Sequence, residues 1–231
     1  MRHVQKTEDV KGSLKWIREA VNAKQHLIDA GIGSRFNLLD RNRLEWVSPL
    51  SDDEYAEYSD QIFLDKLGIR LDKLPLKDFW PERGPNWDAL ARTRSDPRKV
   101  FLVEAKAYLG ELRSGGCQAG PVSLKKIRNA FRETQSYLEV SPDSDWTGEY
   151  YQYANRLAHL YLLRELNGID AYLVYVCFLN DMEMKGPATE DEWRDAIAEA
   201  ERTLGIANHK LEPYVAHVFI DVNMLNKTGE K

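Results

Sequence analysis

Cysteine is nearly absent: Cys117 and Cys177 are the only two, sixty residues apart, and no CxxC occurs. That spacing supplies neither a disulfide framework nor a structural zinc site, and such sparse thiol use suits a reducing compartment. Long apolar runs are also missing. The longest, Ala171–Leu179 (AYLVYVCFL), has nine residues, about half of what a membrane-spanning helix needs. The opening MRHVQKTEDVKGSLKW has no apolar stretch of signal-peptide length, so a cytoplasmic protein with no membrane partner is expected. No repeat, low-complexity tract or Pro/Gly/Ser-rich linker divides the chain, and a single domain over 1–231 is the expectation. HExxH, GxSxG and P-loop signatures are absent, and Gly31-Ile32-Gly33 is too short for a dinucleotide fingerprint. No cofactor other than a metal is therefore implied.

What the sequence does hold is a chain of 231 residues, 43% hydrophobic, with a formal net charge of −5, enough for a sizeable core. The apolar spacing of Leu14, Ile17, Val21 and Ile28 behind Ser13 predicts a helix with Gly31 as its stop. A second helix is predicted from Ser51, with Ser51 and Glu54 as a capping box, through Ile62 to Leu67 before Gly68. From residue 87 the pattern turns to strands: 87–93, a turn at Ser95-Asp96-Pro97, and 100–107 (VFLVEAKA). The glycine-rich stretch 109–122 is long for a compact domain and reads as a flap. Helices are expected over 123–138 and 149–166, and a doubly buried strand over Ala171–Leu179. A helix capped by Thr189 with Glu192 and stopped by Gly205 follows, then a strand over 215–222. The fold class is α/β, with a mixed central sheet flanked by helices.

The hairpin carries the chemistry. In a strand, residues i and i+2 share a face, so Glu104 and Lys106 point together and Ala105 points away. A turn symmetric about Asp96 gives pairs whose numbers sum to 192. That register sets Leu90 opposite Leu102, Arg92 opposite Val100, and Asp88 opposite Glu104. Opposed carboxylates repel at roughly 5 Å, unless a divalent cation lies between them, and hard oxygen donors suit Mg²⁺ or Mn²⁺. With Lys106 alongside, metal-activated water attacking a phosphodiester is the matching reaction. The alternative is a surface salt-bridge patch. The triplet [D/E]-x-K occurs at Asp9, Glu104 and Glu183, and only the Glu104 copy follows an apolar strand with an acid in hairpin register.

An acid on one strand, an apolar strand ending in Glu-x-Lys, and a following helix resemble the PD-(D/E)XK, or restriction-endonuclease-like, nuclease superfamily. The resemblance spans roughly residues 51–179, leaving 1–50 as a helical N-terminal addition and 180–231 as a C-terminal helix and strand. It implies an α-β-β-β-α-β core in which Asp88, Glu104 and the Ala105 carbonyl hold the metal and Lys106 positions or activates water. Trp87 stands where the family's motif has Pro. Members often carry an acid on the first core helix, which points to Glu57, against the plainer reading of a solvated helix face.

Two further signals accompany the hairpin. Gln152, Asn155, Arg156 and His159 form one polar stripe on an otherwise apolar helix; facing the site, Gln152 and Arg156 would hold the phosphate, and facing outward they would meet water. Residues 85–135 contain ten Lys or Arg and five Asp or Glu, a net +5 that leaves −10 elsewhere. Lys125, Arg128 and Arg132 share a helical face suited to backbone phosphates, or to solvent. The resulting expectation is a metal-dependent nuclease acting on DNA, with RNA as the alternative polymer and a homodimer left open. The rival readings are a non-catalytic nucleic-acid or protein-binding module on the same fold, and a hydrolase of a small phosphorylated substrate.

Overall fold

Residues 1–5, 10–38, 44–94, 97–141 and 143–226 are described in a computed structural model. In chain order the elements are β1 (Arg2–His3), α1 (Gly12–Ala23), α2 (Gln25–Phe36), β2 (Leu44–Ser48), β3 (Glu57–Tyr58), α3 (Asp60–Leu67), α4 (Leu76–Phe79), β4 (Ala89–Thr93), β5 (Val100–Lys106), α5 (Pro121–Leu138), α6 (Tyr151–Tyr161), β6 (Ala171–Leu179), α7 (Glu190–Leu204), β7 (Val215–Asp221) and α8 (Val222–Asn226). The main sheet is five-stranded and mixed, in the order β2-β4-β5-β6-β7. Its β2–β4 and β4–β5 pairs are antiparallel, while β5, β6 and β7 are mutually parallel. Helices cover both faces, which is why β5 and β6 are buried along nearly their whole length and read as continuous apolar runs. No helix among the described residues is long and apolar enough to cross a membrane.

Period-two alternation sorts β5 between two cores. Val100 and Leu102 pack with α5, α6 and α7, whereas Phe101, Val103 and Ala105 pack with α1 and α2. Glu104 and Lys106 therefore fall on the α6 side. The β4–β5 register is the expected one, with Leu90 opposite Leu102 and Arg92 opposite Val100. Ladder pairing begins at Ala89, so Asp88 is the next position outward, and Trp87 bridges to Tyr58. Ser95 and Asp96 of the expected turn lie outside the described residues.

Residues 51–67 do not form one helix. Ser51–Asp53 is a single 3-10 turn, Glu54 and Tyr55 take positive φ (53° and 54°), and α3 starts only after Ser59. The capping box is absent because the Glu54 carboxylate pairs with Arg2 at 2.8 Å. Pairing of β3 with β1, which buries Ala56 and Tyr58, then pulls Glu57 into extended backbone. The N-terminal helix is likewise two helices, broken at Lys24. Gly31 lies inside α2 and stops nothing; its bare Cα lets α2 rest on β7, where a Cβ would overlap Val218 Cγ1. Gly31→Ala is accordingly expected to destabilise the fold by about 1–3 kcal/mol, read as a lower midpoint in urea unfolding.

The segment 1–50 is more than a helical addition, since it supplies β2 at one edge of the sheet. Near the other end of the chain, the Thr189–Glu192 capping box and the Gly205 stop (φ 72°) are formed as read from the sequence. Within 109–122, Leu109–Leu112 is a 3-10 turn and α5 already begins at Pro121. The stretch between is tied down by Ser114 N–H to Glu149 O (2.6 Å) and Cys117 N–H to Thr147 O (2.9 Å).

Candidate active site

The end of β5, residue 88 beside it and the polar stripe of α6 meet in one place. Asp88, Glu104, Lys106, Gln152, Asn155 and Arg156 all line a single cleft of about 710 Å³. Glu104 is 3% exposed, and both of its oxygens are engaged: Oε1 by Lys106 Nζ and Oε2 by Arg156 Nε, each at 2.6 Å. Lys106 also donates to Gln152 Oε1 at 3.1 Å. Arg156 is held on its other edges by Asn155 Oδ1 (2.8 Å) and the Asn86 carbonyl (2.9 Å), with its guanidinium 4.8 Å from the Trp87 ring centre. Asp88 opens on the cleft, and the one hydrogen bond to its carboxylate among the described residues comes from the Ala105 amide at 2.7 Å.

Electrostatics divide these groups. Burial works against ionised Glu104, but Arg156 and Lys106 outweigh it and hold the carboxyl below its usual range. Burial also opposes the Lys106 ammonium, and Glu104 and Asp88 reverse that and raise it. At Asp88 the balance goes the other way: burial, then Glu104 and Glu57, outweigh Lys106 and the Ala105 amide and push the carboxyl well above an ordinary aspartate. Glu57 is raised to about 7 by burial, with Arg18 opposing and Glu104 adding to the shift. The cleft thus holds one carboxylate kept ionised by two cations and one carboxyl held toward its neutral form.

The structure brings together most of the predicted residues, with exceptions. Ala105 lines the cleft as well and meets Asp88 through its amide, although its side chain lies on the α1 side. Glu57 is 7% exposed in β3, not on a helix face, and it influences the site through its charge without lining the cleft. Lys125, Arg128 and Arg132 are exposed on α5 and do not line the cleft. The outward reading of the α6 stripe fails, because Asn155, Arg156 and His159 are all buried. The other described triplet acid, Glu183, is exposed and paired with Lys11, and Asp9 lies outside the described residues.

Sequence reasoning missed three contributors. Glu111 lines the cleft and accepts the Ala107 amide (2.5 Å) and the Ser13 hydroxyl (3.0 Å), tying α1 to the cleft wall. Tyr108 lines the same wall, its ring lying against Gly110. Arg18, over the Tyr55 ring at 5.0 Å, faces Glu57 with its buried Nε unpartnered. Only Glu111, five positions beyond Lys106, had a visible signal, an acid at the mouth of a glycine-rich stretch.

His159 ends the stripe as a structural residue, wedged edge-on between Trp80 and Trp87 at 4.8 and 5.9 Å. Burial pushes it down to about 4, so it is neutral in the fold, and it takes up a proton more readily when unfolded. Its contribution is complete above the unfolded value near 6.5 and declines as pH falls from there to about 4. The loss should reach about 3 kcal/mol, and unfolding free energies at pH 7 and pH 4.5 should show a smaller difference in His159→Phe.

The donor chemistry fits a hard divalent cation in kind: carboxyl oxygens, with Asp88 held toward its neutral form by burial and acidic neighbours that a bound cation would offset. Among the described residues, no three of His, Cys, Asp or Glu are grouped as a ready cage. Comparison of the chain with protein-family models, curated proteins and solved structures finds no match.

Proposed function

We propose that this cleft hydrolyses phosphodiester bonds of nucleic acid, DNA before RNA, with Mg²⁺ or Mn²⁺ as cofactor, on a restriction-endonuclease-like core. The observation that carries the reading is the meeting of Asp88, Glu104 and Lys106 at the end of the β4–β5 hairpin, with Gln152 and Arg156 in the same cleft. The succession of an antiparallel hairpin, helices and parallel β6 supports the core. Asp88 and Glu104 would hold the cation, which polarises a phosphoryl oxygen and acidifies bound water. Lys106, fixed by Glu104 and Gln152, keeps an ammonium beside the place where charge develops on the phosphate. Gln152 spends its oxygen on Lys106 and leaves its N–H donors for a phosphate oxygen.

Plasmid or single-stranded DNA incubated with Mg²⁺ or Mn²⁺ should be nicked by the wild type and about a hundredfold more slowly by Lys106→Ala. Equal rates for the two proteins would remove the reading. The engagement of both Glu104 oxygens by cations favours a second reading, a binding module that keeps the arrangement without the reaction. Nucleic-acid binding with no cleavage under any divalent cation would decide for it.

A further inference from the structure

We propose that Arg156 is a two-position residue that couples cation binding to phosphodiester binding. Paired as it is with Glu104 Oε2, it neutralises that carboxylate; when a phosphodiester enters, its guanidinium moves to the phosphate and frees Glu104 Oε2. The inference rests on the hydrolase reading above and adds the order in which that site's ligands assemble.

The argument starts from the doubly occupied carboxylate. Both Glu104 oxygens are taken at 2.6 Å by buried cations. A divalent ion bound to either oxygen at roughly 2.0–2.6 Å would lie against two fixed positive charges, and moving one of them away relieves that repulsion. Lys106 is poorly placed to do so. It stands two residues from Glu104 on the same strand, on the same face, and is held from the other side by Gln152.

Arg156 comes from a different element, α6, on a long side chain, and its partners are replaceable. Nε meets Glu104, Nη1 meets Asn155 Oδ1, and Nη2 meets the Asn86 carbonyl. All four residues line the cleft that a phosphodiester would enter. A phosphate offers the planar guanidinium two parallel hydrogen bonds, which the single Nε contact to Glu104 does not use. Trp87 lies beneath it at 4.8 Å, and a shift across the ring face exchanges edge partners while keeping the cation–π contact. Charge also balances: the guanidinium trades one monoanion for another, and the released carboxylate becomes available to the cation.

Coupling of this kind is reciprocal. Mn²⁺ should be titrated calorimetrically into the wild type with and without saturating diethyl phosphate, a phosphodiester monoanion with little metal affinity of its own. Diethyl phosphate is expected to tighten Mn²⁺ binding by about tenfold. Arg156→Met should bind Mn²⁺ more tightly than the wild type without diethyl phosphate, and should show no further gain with it. A second readout uses the unaltered protein without metal. The Arg156 Nε–H resonance, assigned by its loss in Arg156→Lys, should shift when diethyl phosphate is added.

A wild-type Mn²⁺ affinity indifferent to diethyl phosphate, or a resonance unmoved at saturation, overturns the coupling. If Mn²⁺ still binds in those experiments and Asp88→Asn abolishes it, only the role of Arg156 falls. If Mn²⁺ binds neither protein under either condition, the hydrolase reading falls as well.

Discussion

Glu104→Ala is expected to remove roughly 3–5 kcal/mol of folding stability and to abolish cleavage. The size of the effect comes from what remains behind. Lys106 is 6% exposed and Arg156 is 5% exposed, and without the carboxylate both cations stay in the interior with no anion directly on them. Total stability of a domain is commonly only about 5–15 kcal/mol, so the variant should unfold at markedly lower urea. A cycle separates charge from volume: Glu104→Leu combined with Lys106→Met and Arg156→Met should recover most of the loss, because a buried ion cluster replaced whole is often neutral. A Glu104→Ala variant within 1 kcal/mol of wild type would show that the two ion pairs carry little net weight.

Asp88→Asn should do the opposite to stability while doing as much damage to activity. Asp88 stands next to Glu104 across the hairpin, and each pushes the other toward its protonated form or pays in repulsion. Asparagine keeps an oxygen for the Ala105 amide and removes a group whose ionisation burial and Glu104 oppose, a relief of up to about 1 kcal/mol in a cross-strand pair. Under the proposed nuclease reading, cleavage would lose one of two cation ligands and should drop by about a thousandfold. Unfolding and nicking measured on one preparation test both halves. A drop in both activity and stability would assign Asp88 a structural role.

The parts legible in the sequence were those set by near neighbours. The β4–β5 register follows from a turn symmetric about Asp96, with the apolar pair Leu90 and Leu102 matched and Arg92 opposite Val100, and it was enough to place Asp88 beside Glu104. The α7 cap needed only Thr189 and Glu192. The α6 stripe was legible as a stripe, but its direction depended on which layer covered the helix. Glu57 was misplaced because the local capping pattern of Ser51 and Glu54 lost to distant partners: Arg2 took Glu54, and β1 and Trp87 took the backbone around Tyr58. Strand β2 went unread because its partner, β4, lies more than forty residues downstream. The basicity of residues 85–135 was real as a count, yet Lys125, Arg128 and Arg132 fall on an outer helix face away from the cleft.

The strand order β2-β4-β5-β6-β7 also has a meaning in time. Synthesis delivers every residue of the cleft by the time Arg156 is made, but β6, which pairs with β5 along Val100 to Lys106, and β7 beyond it are made later. Until β6 arrives, β5 has an open edge and Glu104 and Lys106 have no rigid floor. The nascent chain would therefore carry the cleft residues before the strand that braces them exists, and the cleft cannot be fixed until β6 has been made.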